Sequence, residues 1–289
     1  MAVYELKAEI ALSAVEPLEE LLGELAEQRL MVLEDKPSER AWLAGYFESR
    51  EEAMAAWKQL AVAAKTGQLA LVPAVRKLPD EDWKNSYKAH FKASKFGRLN
   101  WVPVWERDTF VLAAGEEVLW LDPGMAFGTG NHETTRLCCE RLADFAARRG
   151  TTGRVIDSGC GSGILALSAA KLGFQRITGF DDDPEAIRVS EENAGLNGLT
   201  GRVEFHVGNL ITGLTGREAE LVLANIQADV LMHFAGELCA AVAQGGELVL
   251  SGILSHEVDN VRREFARATK DWQVESRVLG EWADLRIVR

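Results

Sequence analysis

Several things this 289-residue chain lacks narrow its function. Cysteine occurs only at 138, 139, 160 and 239, without C-x-x-C spacing, so neither a disulfide framework nor a thiolate zinc site is expected. No apolar run approaches the roughly 20 residues of a membrane span. The first residues, M-A-V-Y-E-L-K-A-E, lack the basic stretch and apolar core of a secretion signal, so cytoplasmic residence without a membrane partner is the expectation. Positive charge is also short: 32 Lys and Arg against 44 Asp and Glu leave a net charge of −12. That balance argues against broad nucleic-acid binding, which needs basic patches for phosphates, and suits a basic protein partner better. Internal repeats and low-complexity segments are absent, and a monomer is expected.

The most informative stretch is 155–184, V-I-D-S-G-C-G-S-G-I-L-A-L-S-A-A-K-L-G-F-Q-R-I-T-G-F-D-D-D-P. It predicts a buried strand, a turn punctuated by Gly159, Gly161 and Gly163, a helix with an apolar face over 164–172, and a second strand ending in Asp181. In a βαβ unit an acid at that place can accept both hydroxyls of a ribose, while the helix N-terminus offers free N–H groups. A nucleoside-containing cofactor follows. A dinucleotide fingerprint would put its third glycine at position 164, which is Ile164. The G-x-G-x-G spacing instead resembles motif I of Rossmann-like methyltransferases that bind S-adenosylmethionine, although spacing alone leaves NAD binding or a plain turn open.

Ahead of this lies a pattern of strand, helix, two strands, helix and strand. Residues 3–12 alternate, Pro17 opens a helix striped by Leu18, Leu21, Leu22 and Leu25, and 30–33 and 42–47 predict paired strands. Ser49 and Glu52 form a capping box for a helix through Trp57 and Leu60, and 69–72 predicts the closing strand. That order is the ferredoxin-like split βαβ motif, and it carries no catalytic cluster, which makes it a candidate for substrate recognition. Residues 74–98 read as a linker with a helix through Trp83, Tyr87 and Phe91, the most basic part of the chain. Strands are expected at 99–104 and 118–121. From 154 onward strands alternate with helices (185–196, 229–242, 257–269), and a final hairpin completes a mainly parallel sheet that takes ligands at its carboxyl edge. The domains are therefore 1–73, 74–98 and 99–289.

A second motif, L-D-P-G-M-A-F-G-T-G-N-H-E-T-T at 121–135, holds more glycine, hydroxyl and imidazole than a turn needs. Together with Asp82-Trp83, G-C-G-S-G-I-L-A, Asp181 to Pro184, Ala224-Asn225-Ile226, Ser251-Gly252-Ile253-Leu254 and Gly280-Glu281-Trp282, it resembles the bacterial methyltransferases of ribosomal protein L-eleven, the PrmA type, over nearly the whole length. The resemblance implies an α/β, Rossmann-like class I S-adenosylmethionine methyltransferase domain behind an N-terminal α+β ferredoxin-like domain that holds the substrate. It implies transfer of methyl groups from S-adenosylmethionine to lysine and N-terminal amines of ribosomal protein L-eleven.

By the same resemblance Thr135, Gly159, Asp181 and Asn225 are cofactor contacts, and the 122–135 loop covers the cofactor, with Phe127, Gly128 and Thr129 against it. Phe127 packs over the cofactor or in the core. Gly161 belongs to the glycine turn, and Asn209, after the third strand of the sheet, is expected at the adenine edge. Asn225 is the expected catalytic residue, accepting a hydrogen bond from the substrate amine. His132 is a second candidate, as base or as substrate contact, beside a structural role. Asp183 is expected to cap the helix at Pro184, and no metal is expected because no further ligands accompany it. The chain departs from the family pattern at Gln227, where leucine is common, at Asn131 and Glu133 in the loop, and at Asp284, a normally apolar place. Gln227 lies close enough to Asn225 to leave open a related enzyme acting on another protein or a small molecule.

Overall fold

The order of elements follows the alternation of period-two and period-3.6 apolar patterns along the chain. The computed structural model describes residues 3–24, 29–35, 40–63, 73–78, 92–122, 132–269 and 271–289, in two units, Met1–His90 and Phe91–Arg289.

In the first unit β1 (Val3–Ile10), α1 (Val15–Glu24), β2 (Leu30–Asp35), β3 (Arg40–Phe47), α2 (Arg50–Ala63) and β4 (Ala74–Leu78) make one antiparallel sheet in the order β2-β3-β1-β4. Leu6, Ala8, Leu43 and Phe47 of the strands are buried against Leu18, Leu22, Trp57 and Leu60 of the two helices. The Ser49 hydroxyl accepts from the Glu52 N–H at 3.2 Å, half of the expected capping box. Two expectations are corrected. Leu12 leaves the strand and is exposed in a short 3₁₀ turn. The expected strand at 69–72 lies outside the described residues, and the strand that closes the sheet is Ala74–Leu78, within the stretch read as linker. Its register explains the position, because Val75 falls opposite Leu6 on the core face while Arg76 falls opposite Glu5 and pairs with it.

The second unit begins with a small sheet of β5 (Ser94–Phe96), β6 (Leu99–Pro103) and β7 (Glu117–Leu121). Its Trp101 is buried and donates to the Ser168 hydroxyl at 2.9 Å. The main sheet comprises β8 (Arg154–Ser158), β9 (Arg176–Asp181), β10 (Glu204–Val207), β11 (Ala219–Asn225), β12 (Val242–Leu254), β13 (Gln273–Leu279) and β14 (Trp282–Val288), in the order β10-β9-β8-β11-β12-β14-β13. The first five are mutually parallel, β14 runs antiparallel to β12, and β13 runs antiparallel to β14, as the final hairpin predicts. Helices α3 (Glu133–Arg149), α4 (Ile164–Lys171) and α5 (Pro184–Leu196) lie in the apolar cluster on one face. The other cluster holds α6 (Ala228–His233), α7 (Ala235–Ala240) and α8 (Val258–Ala268).

The helix expected over 229–242 is thus two short helices that break at Phe234. Val242 belongs to β12, because it pairs with Ala219 while the Ala219 N–H donates to the Ala241 carbonyl at 2.9 Å. Strand order reverses between β8 and β11, which places a crevice at their carboxyl ends. Among the described residues no helix is long and apolar enough to cross a membrane.

Candidate active site

Three strands end side by side at that crevice. β8 runs into Gly159, β9 stops at Asp181 and β11 stops at Asn225. The glycine turn is held from below and from the side. The N–H groups of Gly159 and Cys160 both donate to the Phe180 carbonyl at 2.9 Å. Gly161 N–H donates to Asp181 Oδ2 at 2.9 Å, so the glycine turn and the acid at the next strand tip are one hydrogen-bonded unit. Asp181 Oδ1 accepts from Asp183 N–H at 3.1 Å, and Asp183 caps α5 by accepting from Glu185 N–H at 2.8 Å, as its place before Pro184 predicts.

Gly159 has φ +68°, and an added Cβ there would lie 2.7 Å from Cγ2 of Ile226. Only glycine allows both the left-handed backbone and the approach of the β11 loop. The same loop is pinned from its other side: Gly252, at φ +83°, would place a Cβ 2.3 Å from the Ile226 carbonyl oxygen, and Ile226 N–H donates to the Ser251 carbonyl at 3.1 Å. Ile226 is therefore wedged between two glycines far apart in sequence. That wedge fixes its neighbour Asn225, whose Nδ2 donates to Thr135 Oγ1 of α3 at 3.2 Å.

His132 is the N-cap of α3. Its Nδ1 accepts from Thr134 N–H at 3.4 Å and lies 2.8 Å from the Thr134 hydroxyl, and its ring meets Trp282 edge to face at 4.9 Å. One ring nitrogen is thus committed to the helix, which leaves Nε2 for any other role. Asn209 comes beside Asp181 because Gly208 N–H donates to the Asp181 carbonyl at 2.8 Å. Its Oδ1 is engaged by the N–H groups of Ile211 and Thr212, both at 2.9 Å, so Nδ2 is the atom left for a ligand. Phe127, Gly128 and Thr129 lie outside the described residues. Of the nominated residues the structure brings together Thr135 with Asn225 and Gly159 and Gly161 with Asp181; Asn209 stands beside the latter.

Sequence reasoning missed the supports. Ser190 donates to the Gly161 carbonyl at 2.8 Å and Asn193 to the Ser162 carbonyl at 2.9 Å, both from α5. Nothing in the sequence separates them from ordinary polar helix positions. Asp157 had a signal, its place just ahead of the glycines. It is buried and accepts from Ala166 N–H at 3.0 Å. Burial pushes its carboxyl up to about 7 against that hydrogen bond, with the nearby Asp181 charge adding to the rise. Burial also pushes the Cys160 thiol up, which keeps it protonated and unreactive. Among the described residues no group of three or more His, Cys, Asp or Glu side chains could hold a metal ion.

The arrangement suits transfer to an acceptor beside Asn225 of a group carried by a ribose-containing cofactor, and comparison with known proteins agrees. The chain is 44% identical over 214 residues to the ribosomal protein L11 methyltransferase of Geobacter metallireducens, which covers 74% of this chain and 68% of that protein. Its counterpart from Clostridium botulinum is 43% identical over 64% of this chain and 57% of its own length. The crystal structure of ribosomal protein L11 methylase from Lactobacillus delbrueckii subsp. bulgaricus superposes with a TM-score of 0.61 at 30% identity, covering 69% of this chain and 99% of that one. A family described as ribosomal protein L11 methyltransferase (PrmA) matches residues 10–289. With glycine turn, acid and asparagine at the carboxyl edge of a methyltransferase sheet and a match over almost the full length, this chain belongs to the PrmA family of ribosomal protein methyltransferases.

Proposed function

We propose that this enzyme transfers methyl groups from S-adenosylmethionine to lysine side-chain and N-terminal amines of ribosomal protein L11. The relatives' names support the substrate, and the Asn225–Thr135 contact carries the chemical reading. Because Asn225 Nδ2 donates to Thr135, Oδ1 is the atom left to accept an N–H from an incoming amine. An amide is neutral, so it orients the amine without stabilising the ammonium as a carboxylate would. A lysine amine, with an ordinary pKa of about 10.4, has no lone pair until it loses its proton. Asn225 then directs that lone pair, and rate enhancement comes from orientation.

The residues fit the cofactor. An added Cβ at Gly161 meets nothing within 4 Å, which leaves room against the turn's backbone. Asp181 still has lone pairs for ribose hydroxyls beyond the two backbone groups it accepts. Thr135, Gly159, Asp181 and Asn225 would hold S-adenosylmethionine, with Asn209 towards the adenine and the loop carrying Phe127, Gly128 and Thr129 over it. When bound, it supplies an electrophilic methyl group on a sulfonium. His132 we assign to capping α3. The first unit we read as a ferredoxin-like module that selects the substrate; its strand order and its two helices on the sheet support this.

Labelled S-adenosylmethionine and unmethylated ribosomal protein L11, incubated with the enzyme, should give label in that protein, located by mass spectrometry at lysine and N-terminal amines. Label absent there and present in other proteins or small molecules would favour a related methyltransferase. Gln227 keeps that second reading in view: it is exposed one residue beyond Ile226, and its side chain does not cap α6.

A further inference from the structure

A row of arginines crosses the amino edge of the main sheet, opposite the glycine turn. Arg154 opens β8 and Arg176 opens β9, and the two are register partners on adjacent strands. Arg202 lies two residues ahead of β10, whose Glu204 pairs with Thr178 of β9, and its guanidinium reaches Gln175, the residue before Arg176. Arg217 approaches from the turn before β11. These four line a cavity of about 440 Å³ together with Glu204 and Glu218. Like charges directly opposite on neighbouring strands repel, and in a chain of net charge −12 such a row is not an overflow of basic residues.

Two of the four have acidic partners: Arg154 lies 3.3 Å from Glu220, and Arg217 lies 3.5 Å from Glu204 with His206 Nε2 at 3.1 Å. Arg176 and Arg202 donate to neutral oxygens, the Thr152 carbonyl and Gln175 Oε1, both at 2.6 Å. Among the described residues neither is in an ion pair. Each guanidinium has five N–H donors, so most of theirs remain for a ligand.

We propose that this edge binds a compact phosphate-bearing small molecule through Arg176 and Arg202, with Arg154 beside them. Guanidinium forks match phosphate oxygens. A row stepped at the strand spacing of about 4.8 Å is longer than one carboxylate spans and suits consecutive phosphates. The cavity has the size of a small-molecule pocket, roughly 300 to 1,000 Å³, and the acidic chain disfavours long nucleic acid.

The test uses the full chain with its cofactor site filled by S-adenosylhomocysteine, titrated calorimetrically with inorganic tripolyphosphate, ATP and a single-stranded RNA oligonucleotide. Saturable tripolyphosphate binding that weakens with salt is expected, at least about tenfold weaker in the Arg176→Gln/Arg202→Gln variant. ATP binding more tightly identifies a nucleotide as the source; equal affinity identifies phosphate alone. The variant should bind S-adenosylhomocysteine as wild type does and melt no lower in the absence of phosphate. Should the double variant not fold, Arg202→Gln alone, at an exposed turn position, carries the comparison. No saturable binding by wild type, equal binding by the variant, or tighter binding of RNA than of tripolyphosphate overturns the proposal.

Discussion

At its carboxyl edge the seven-stranded sheet ends in Gly159, Asp181 and Asn225; at its amino edge the same three strands begin with Arg154, Arg176 and, two residues early, Arg217. The first edge is crowded and mutually satisfied. Asp181 accepts from two backbone N–H groups, Asn225 donates to Thr135, and Ile226 fills the gap between two glycines. The second edge sets like charges side by side, and there Arg176, like Arg202 ahead of β10, donates to a neutral oxygen. Where a buried charge elsewhere in the fold is needed for structure, it is paired closely. Asp284, fully buried, takes two hydrogen bonds of 2.8 Å from the buried Arg141. The contrast separates charge that holds the fold from charge held ready for a ligand.

The largest effect should come from breaking the paired charge. Asp284→Ala leaves the buried Arg141 with only its 3.4 Å contact to the exposed Glu275 and should cost about 3 to 5 kcal/mol in urea unfolding, whereas neutralising Arg176 and Arg202 should cost nothing measurable. Equal losses would erase the distinction between the two kinds of charge. Next comes the wedge. Gly252→Ala should lose about 2 to 4 kcal/mol through backbone strain and overpacking. Gly159→Ala collides with a side chain, so adding Ile226→Ala should restore part of its cofactor affinity. The same second change should not rescue Gly252→Ala, because the obstacle there is a carbonyl.

At the site itself, Asn225→Ala should lower kcat about 10- to 100-fold and S-adenosylhomocysteine affinity by less than that, and Asp181→Ala should do the reverse. Steady-state kinetics with calorimetry separates the two, and an unchanged enzyme in both cases would undo the assignment.

Two buried acids give opposite pH signatures. Asp157, at about 7 in the fold against an ordinary 3.8, is neutral in both states below about 3.8. As pH rises towards 7 only the unfolded chain releases its proton, so its contribution to stability falls and then levels. Asp157→Asn should flatten the melting curve across that window. Burial acts to raise Glu247 too, but hydrogen bonds from Arg286 and Arg148 outweigh it and hold the carboxyl at about 2. Its stabilisation is present above about 4.5 and is lost as pH falls through 2; Glu247→Gln should remove that loss. The smallest change is at His132: Ala should cost about 1 kcal/mol through the lost cap, and Asn, which can cap, should keep full turnover. A turnover collapse in His132→Asn would make the imidazole catalytic after all.

The sequence by itself determined the βα alternation, the hairpin end and the identity of the glycine turn with Asp181, because those signals are local: apolar period, glycine at left-handed turns and an acid one strand further on. It also determined that Asn225 follows the fourth strand of the parallel sheet. Only the tertiary structure decided that Ile226 sits between Gly159 and Gly252, that Thr135 reaches Asn225, that Val242 belongs to a strand, and that Arg154, Arg176 and Arg202 stand in a row. Each of these depends on which strands lie next to each other and in what register, a choice made by long-range pairing and packing. Asp284 joins the two levels. A buried acid at an apolar place reads as an anomaly along the chain, and the fold accounts for it by bringing Arg141 of α3 against it.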